Sequence, residues 1–152
     1  MTVRRATESE AAEIVRVINA AFKPAESFFI DGDRTDLEHV CEYLTKGVFL
    51  VTDDLGGCVY VEVQGDRAYF GLLSVDPARQ KSGIGKRLIA AAEGHARGQG
   101  CRFMDIHVVN LREELPPYYR SLGYVESGTE PFHGEDGPTR IPCHFVRMSK
   151  AL

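Results

Sequence analysis

The sequence has no long apolar run, no Cys-x-x-Cys pair and no low-complexity tract. Because no apolar run approaches the ~18 residues of a membrane-spanning helix, we expect no insertion into a membrane. The first six residues lead into a charged segment and lack the apolar core of a secretory signal peptide. The cysteines are widely spaced, which favours reduced, mostly structural thiols in a cytoplasmic protein. They are Cys41, Cys58, Cys101 and Cys143.

The composition is that of an ordinary globular protein with a small excess of acidic residues. The chain has 152 residues, of which 43% are hydrophobic and 26% charged, and its formal net charge is -4. This length favours one domain, spanning residues 1–152, that buries roughly two thirds of its unfolded surface. The acidic balance argues against a non-specific nucleic-acid binder, which needs a basic surface.

Hydrophobic periodicity predicts a mixed α/β sheet. Thr7 and Glu10 have the spacing of a capping box, and they open a helix that Pro24 is expected to end. A second helix is predicted over 35–46 and a third over 83–97. The predicted strands are 2–6, 48–52, 58–63, 68–75, 101–109, 125–131 and 140–148. The third helix connects two of these strands as a crossover, so that pair is expected to be parallel.

Residues 72–89 contain a strand, a glycine-bearing turn and a helix start in direct succession. The turn Gln-Lys-Ser-Gly-Ile-Gly, from Gln80 to Gly85, directs several free backbone N–H groups toward one point at the start of a helix. Such donors, with the positive end of the helix dipole, favour a phosphate group. A Walker loop would need glycine at Gln80 and Ser or Thr at Arg87, and a dinucleotide fingerprint would need glycine at Leu88. Both alternatives therefore fail.

A second motif follows the strand predicted at 101–109. It starts at Asn110 and continues as Tyr-Tyr-Arg-Ser-Leu-Gly-Tyr, from Tyr118 to Tyr124. A proline at the start and a glycine at the end of this segment predict a short helix of about two turns. Together, the two motifs resemble (Arg/Gln)-x-x-Gly-x-(Gly/Ala) and the downstream Asn…Tyr-x-x-x-Gly-(Phe/Tyr) segment of the GNAT superfamily of acyl-CoA-dependent N-acetyltransferases. Since their order and separation also agree, the resemblance extends over nearly the whole chain.

The resemblance implies the GNAT fold and its acyl donor, acetyl-CoA, without a metal. The fold is an α/β one: a twisted, mostly antiparallel central sheet, splayed between strands four and five, with helices on both faces. Leu73 and Val75 are expected to bind the pantetheine arm through their backbone, and Asn110 to touch it or to order the next helix. The pyrophosphate is expected at the loop residues Gln80, Lys81, Ser82, Gly83, Ile84, Gly85 and Lys86. Lys81, Lys86 or Arg87 can add charge at its rim.

The implied reaction is direct attack by a primary amine of a small molecule on the thioester of acetyl-CoA in a ternary complex. By resemblance, the backbone N–H of Leu73 stabilises the oxyanion. Tyr119 corresponds to the tyrosine of the family that contacts the cofactor and acts as general acid. A phenol is protonated at neutral pH and can protonate the leaving thiolate. Tyr118 is the alternative, because a shift of one residue in the alignment exchanges the two tyrosines.

The general base stays open at this point. Several GNAT enzymes use Glu or Asp on strand four, but the strand predicted at 68–75 has neither. Glu62 on the third strand and His107 on the fifth are candidate side chains. An ordered chain of water molecules would need no side-chain base.

The motifs do not identify the acceptor. Phe28 and Phe29 are either core side chains or the lining of an acceptor pocket, because the corresponding region borders the substrate cleft in the family. Phe132 and His133 could also shape an apolar or aromatic pocket. Acidic residues cluster on the same side, which is compatible with a cationic amine. They are Glu26, Asp31, Asp33, Asp36, Glu126, Glu130, Glu135 and Asp136.

Two other functions remain compatible with the motifs. One is a non-catalytic acyl-CoA-binding regulator, and the other is an acetyltransferase for lysine side chains or amino termini of proteins. The family resemblance also makes a homodimer formed through the last strands an alternative to a monomer.

Overall fold

A single seven-stranded sheet forms the centre of the protein, in a computed structural model that describes residues 2–132 and 139–152. The strands are β1 Val3–Arg5, β2 Val48–Thr52, β3 Gly57–Gln64, β4 Arg67–Val75, β5 Phe103–Val109, β6 Val125–Pro131 and β7 His144–Ala151. The helices are α1 Ala11–Glu26, α2 Leu37–Lys46, α3 Ile84–Gly98 and α4 Leu115–Ser121. Within the described ranges, no helix has the length and apolar character needed to cross a membrane.

The sheet has the order β1-β2-β3-β4-β5-β7-β6. Five of its neighbouring pairs are antiparallel, and β4 and β5 are parallel. The crossover between the parallel strands is α3, as the order of elements predicted. The mostly antiparallel α/β fold expected from the sequence is thus confirmed.

Helices cover both faces of the sheet because each has one apolar stripe. On one face, Ile84, Leu88 and Ala92 of α3 are buried against strands β2 to β5. On the other face, Ile14 and Ile18 of α1 pack, together with α2, against β2 and β3. Each fully buried Ile or Leu side chain stabilises the fold by about 1.5–3 kcal/mol relative to exposure. These two cores hold β4, which lies between them, from both sides.

The structure differs from the predicted elements at several ends. Pro24 does not end α1, which continues to Glu26. Proline lacks only its own N–H, and the next turn still forms because the N–H of Ser27 donates to the carbonyl of Lys23 at 3.0 Å. The last strand lies three to four residues later than predicted, over His144–Ala151. All four cysteines have free thiols.

Candidate active site

The parallel strands β4 and β5 are paired along only part of their length. Their paired residues are Arg67 with Phe103, Ala68 with Met104 and Tyr69 with Asp105. On its other edge, β4 pairs irregularly with β3. Cys58 of β3 pairs with Ser74 and Tyr60 of β3 pairs with Gly71, so an advance of two residues along β3 corresponds to three residues along β4. This β-bulge includes Leu72, whose φ is 54°. Because a bulge bends its strand, β4 can turn away from β5 beyond Tyr69 and leave a gap between the strands.

The bulge also changes which side chains of β4 face each core. Ala68 and Phe70 pack on the α3 side before it, and Leu73 and Val75 pack on that side after it. Leu72 belongs to the opposite core, with side chains of α1 and α2. Strict alternation from Phe70 would have placed Leu72 on the α3 side instead. As a result, Leu73 and Val75 lie partly buried on the α3 side of β4.

A short ordered loop joins β4 to α3. The Asp76 carboxylate accepts a hydrogen bond from the N–H of Ala78 at 3.0 Å and so caps a single 3-10 turn, Pro77–Arg79. Next, the side chain of Gln80 donates to the carbonyl of Val75 at 3.2 Å, and the Ser82 hydroxyl donates to the carbonyl of Arg79 at 2.6 Å. These bonds tie the loop to the end of β4.

The residues predicted to bind phosphate form this loop and the first turn of α3. Lys81 and Gly83 have φ of 70° and 80°, in the left-handed region that glycine adopts without strain. Ile84 is 3% exposed and anchors the helix start in the core. The side chains on either side are exposed: Gln80, Lys81, Ser82, Lys86 and Arg87. The first N–H groups of a helix lack intrahelical acceptors, so this turn can donate to an anion.

A cleft of about 640 Å³ passes through the gap between β4 and β5. Its lining comes from both cores, with Phe70 and Ile106 from the α3 side and Tyr43 and Tyr60 from the opposite side. Four residues predicted for catalysis line this one cleft: Leu73, Glu62, His107 and Tyr119. Tyr118 lines it as well.

Tyr119 lies on α4 with 7% of its surface exposed. Its ring is packed against Phe70, at 6.2 Å between centroids, and against Tyr124, at 5.9 Å. Burial, with a smaller contribution from the nearby Tyr118 and an opposing one from Arg112, raises the pKa of Tyr119 to about 12. The phenol is therefore held in its protonated, proton-donating form.

Glu62 is held by its neighbours on β3. One carboxylate oxygen accepts from the Tyr60 hydroxyl at 2.7 Å and the other accepts from the Gln64 amide at 2.9 Å. Burial, followed by the hydrogen bond to Glu62, raises the pKa of Tyr60. Gly47 makes room for this pair, since a Cβ there would lie 2.8 Å from the Tyr60 hydroxyl oxygen. The carboxylate thus has a fixed orientation at the cleft.

His107 lies across the cleft on β5, within a row of rings. Its ring centroid is 5.1 Å from that of Tyr69 and 5.6 Å from that of Phe145. Its Nε2 is 3.7 Å from a carboxylate oxygen of Glu130. Phe132 stacks on Phe145 at 5.1 Å and extends this aromatic wall.

Some predicted site residues lie elsewhere. Neither Phe28 nor Phe29 lines the cleft. Phe29 is fully buried in a small core with Ile30, and Phe28 is half exposed with its ring against that of Phe29. Asn110 joins the end of β5 to β7, because its side chain accepts from the N–H of His144 at 2.8 Å. That bond connects the ends of two neighbouring strands, and the expected role of Asn110 toward the pantetheine or the next helix stays a prediction.

The charges of the cleft differ from the acidic cluster expected at this side. Of the described residues, four cations and three carboxylates line the cleft: Arg34, Lys46, Arg67 and Arg112, with Glu26, Glu62 and Asp105. Of the described acidic residues singled out earlier, Glu26 lines the cleft, and several others are engaged outside it. Those are Asp31 with Arg140, Asp36 at the start of α2 and Glu126 with Arg120, whereas Glu130 contacts both Arg147 and the cleft residue His107. His133, Glu135 and Asp136 lie outside the described residues.

Several cleft residues were missed by sequence reasoning. Tyr60 and Tyr69 reach the site through the register of β3 and β4, and the pair Glu26–Arg112 joins residues far apart in the chain. No local pattern marks either feature. Among the described residues, no group of three or more His, Cys, Asp or Glu side chains is placed to hold a metal ion.

Comparison with known proteins agrees with this architecture. Over all or nearly all of both chains, the structure matches ribosomal-protein-alanine N-acetyltransferase from Brucella melitensis (TM-score 0.77, 20% identity, 100% of each chain). It likewise matches a GNAT family acetyltransferase from Elizabethkingia anophelis with acetyl-CoA bound (TM-score 0.76, 15% identity, 99% and 97% of the chains). At these identities the matches establish the fold alone.

Sequence comparison identifies the family. Over 56 residues, the chain is 34% identical to glucosamine 6-phosphate N-acetyltransferase 1 of Oryza sativa subsp. japonica. That match spans 37% of this chain and about a third, 32%, of the rice protein. The family described as "Acetyltransferase (GNAT) domain" matches residues 45–126, more than half of the chain, and this range includes the bulged strand, the loop between β4 and α3, and Tyr119. The chain therefore belongs to the GNAT acetyltransferase family.

Proposed function

We propose that this protein transfers an acetyl group from acetyl-CoA to a primary amine of a small molecule, by direct attack in a ternary complex. The observation that supports this most is the cleft at the β4–β5 gap. It brings Leu73, Glu62 and Tyr119 to one place, beside the loop that can donate to phosphate. Its volume of about 640 Å³ is in the range of small-molecule sites, about 300–1,000 Å³.

The residues around the gap fit acetyl-CoA, which would supply the reactive thioester. The N–H groups from Gln80 to Lys86 would bind the pyrophosphate, and the exposed Lys81 and Lys86 would add charge. The backbone of Leu73 and Val75 would bind the pantetheine arm along the edge that β5 leaves free. A side chain at Gly83 would be strained at its φ of 80°, which favours glycine in this loop.

The chemistry requires one bond to form and one to break at the acetyl carbon. The amine nitrogen forms the new C–N bond, and the C–S bond of the thioester breaks. The backbone N–H of Leu73 would donate to the oxyanion that develops between these events. Tyr119 would donate its proton to the departing sulfur, because its buried phenol is protonated at neutral pH.

The proton of the amine needs an acceptor, and Glu62 is the first candidate. Its two hydrogen bonds hold the carboxylate at the cleft. His107 is the second candidate, because it also lines the cleft, from the facing strand. Either group would take the proton that the amine loses on attack.

The names of the relatives support amine acetylation and differ in the acceptor. The rice relative is named for an amino sugar phosphate, and the Brucella structure for an alanine of a ribosomal protein. We favour a small-molecule acceptor because the sequence match is to the former and the cleft has small-molecule dimensions. Acetylation of a protein amine is the alternative.

The test is acetyl transfer by the purified protein, followed by free thiol release and by the mass of the product. The acceptors are amino acids, amino sugars, phosphorylated amines, polyamines, aminoglycosides and arylamines. We expect CoA release that depends on one acceptor class, with an acetylated product. Tight CoA binding without transfer to any of these amines would favour the non-catalytic regulator or the acetylation of a protein amine. Absence of CoA binding would contradict both.

A further inference from the structure

One face of α1 carries three polar or aromatic side chains, and two of them line the cleft. Asn19, Phe22 and Glu26 are spaced at i, i+3 and i+7, so they share one side of the helix. Phe22 and Glu26 line the cleft. Each of the three holds a partner from another part of the chain, and two of these partners are arginines.

Asn19 and Phe22 together position Arg34. The Asn19 side chain donates to the carbonyl of Thr35 at 3.0 Å and accepts from its N–H at 2.9 Å. Thr35 is 7% exposed, so these two bonds fix the backbone next to Arg34 in a buried place. The Arg34 guanidinium lies over the Phe22 ring, 5.5 Å from its centroid. Arg34 is thus presented to the cleft by α1.

Glu26 positions the second arginine. Its side chain is 8% exposed, and it accepts from Arg112 at 2.9 Å. Arg112 also contacts Glu114 at 3.3 Å, but the Glu114 side chain is 66% exposed and lies outside the cleft. Phe22 and Glu26 are one helical turn apart. The guanidinium groups of Arg34 and Arg112 therefore contact adjacent turns of α1.

We propose that the acceptor amine also carries an anionic group, a carboxylate or a phosphate, which Arg34 and Arg112 bind at the α1 end of the cleft. Both arginines line the same cavity, and contacts with α1 hold each of them there. Arginine has five N–H donors and binds carboxylate or phosphate in a bidentate manner, so a guanidinium that already has a partner within the protein can still donate to a ligand. This inference deepens the proposed function and rests on it.

The cleft accommodates both ends of such an acceptor. Glu62 lines it beside β4, where the amine would react, and the two arginines line it at the end of α1. Among the described residues of the lining, four are cationic and three are acidic, so an anionic group does not meet a predominantly acidic surface there. The aromatic wall of Tyr69, His107 and Phe145 would face the apolar part of the acceptor.

The first experiment ranks the acceptors of the panel by kcat/KM and compares matched pairs. L-phenylalanine and L-phenylalaninamide differ in a carboxylate, and O-phosphoethanolamine and ethanolamine differ in a phosphate. We expect the best acceptor to be anionic and to exceed its neutral analogue about ten- to a hundredfold, as for a hydrogen bond to a charged group. The pair with the larger ratio identifies carboxylate or phosphate. A best acceptor that is neutral or cationic would overturn the inference, whereas no CoA binding would contradict the proposed function itself.

The second experiment measures the same pairs with Arg34→Gln. The KM of the anionic acceptor should rise about tenfold or more, while that of its neutral analogue stays within about twofold. Arg34→Lys should recover part of the affinity, because the charge remains and the planar fork is lost. Arg97→Gln, on the exposed side of α3, is the matched control and should change neither value. An equal loss for both acceptors would indicate a structural role and overturn the inference.

A third measurement needs no variant. Anions that resemble the acceptor but lack an amine, such as 3-phenylpropionate and phosphoglycolate, should inhibit the wild-type protein in competition with the amine. The uncharged 3-phenylpropanamide should inhibit at least tenfold more weakly than 3-phenylpropionate. Equal inhibition by 3-phenylpropionate and 3-phenylpropanamide would contradict an anion-binding subsite for carboxylates. If neither 3-phenylpropionate nor phosphoglycolate inhibited, the anion-binding subsite itself would be contradicted.

Discussion

At the scale of single residues, burial separates the two adjacent tyrosines of α4. Tyr119 is buried and its pKa is raised to about 12, whereas Tyr118 is less enclosed. A general acid must keep its proton until the thiolate leaves, and Tyr119 does so well above neutral pH. Because a raised pKa keeps the phenol protonated as pH rises, its ionisation should cause no loss of kcat between about pH 7 and pH 10.

We expect Tyr119→Phe to lower kcat by about 10²–10⁴-fold, the contribution typical of general acid catalysis. The variant removes the proton donor and leaves the packed ring, so CoA binding and the unfolding midpoint should change little. Steady-state kinetics and calorimetric CoA titration measure these effects. Tyr118→Phe is the matched control and should retain most activity; the reverse pattern would identify Tyr118 as the acid.

The two candidate bases can be distinguished in the same way. Glu62→Gln keeps the size of the side chain and removes its proton affinity, so kcat/KM should fall about 10²–10⁴-fold. His107→Gln should change kcat/KM less than tenfold if Glu62 takes the proton. Comparison of kcat/KM from pH 5 to pH 9 measures both. Full activity of Glu62→Gln at every pH would exclude the carboxylate and leave His107 or water.

At the scale of elements, the loop after β4 could be predicted from sequence and the bulge within β4 could not. The loop has a local signal, because glycines at positions 83 and 85 follow an apolar strand and precede a helical pattern. The bulge includes Leu72 at a φ of 54°, a conformation that leucine avoids in isolation. Tertiary packing of Leu72 against the α1–α2 core offsets this local preference.

Gly71 next to the bulge offers a test of the packing at the cleft. A Cβ there would lie 2.8 Å from Cζ of Tyr69, so Gly71→Ala must displace that ring. We expect about 1–3 kcal/mol of lost stability from overpacking and a rise in the acceptor KM. In a Tyr69→Ala background, the same substitution should cost less, because the conflicting ring is absent.

Chemical unfolding of these variants by urea, followed by circular dichroism, measures the cost. Gly94→Ala is the control with the same glycine-to-alanine change, because a Cβ at that position of α3 meets no atom within 4 Å. In the middle of a helix, that change should stabilise the protein by about 0.5–1 kcal/mol. Equal effects of Gly71→Ala in both backgrounds would contradict the proposed contact with Tyr69.

At the scale of the whole molecule, the two parts of the sheet on either side of the gap need connections other than strand pairing. β4 and β5 share only three residue pairs. Arg67 joins Asp105 across them with bonds of 2.8 and 2.6 Å. These connections, like the Glu26–Arg112 pair that spans 86 residues, could not be predicted from sequence. They exist only after distant elements have docked, so no spacing along the chain encodes them.

Glu93 of α3 provides a further connection, and its loss should lower stability more than the loss of a surface carboxylate. Glu93 is 7% exposed, accepts from the Tyr124 hydroxyl at 2.7 Å, and bonds the Lys150 ammonium of β7 at 3.1 Å. Glu93→Ala leaves both donors without their acceptor. Breaking a buried pair costs about 3–5 kcal/mol, and the partly exposed Lys150 reduces the expectation to about 2–3 kcal/mol.

Urea unfolding followed by circular dichroism gives the free energy of unfolding for Glu93→Ala, Glu93→Gln and a control. Glu93→Gln keeps an acceptor for Tyr124 and should lose less than Glu93→Ala, because only the charge is removed. Glu13→Ala breaks the exposed pair with Arg16 and should stay within about 0.5 kcal/mol of wild type. If the free energy of unfolding of Glu93→Ala equalled that of Glu13→Ala, the Glu93 carboxylate would not join α3 to β7. The parallel pairing of β4 with β5 and the apolar core would then have to hold the two parts of the sheet together across the cleft.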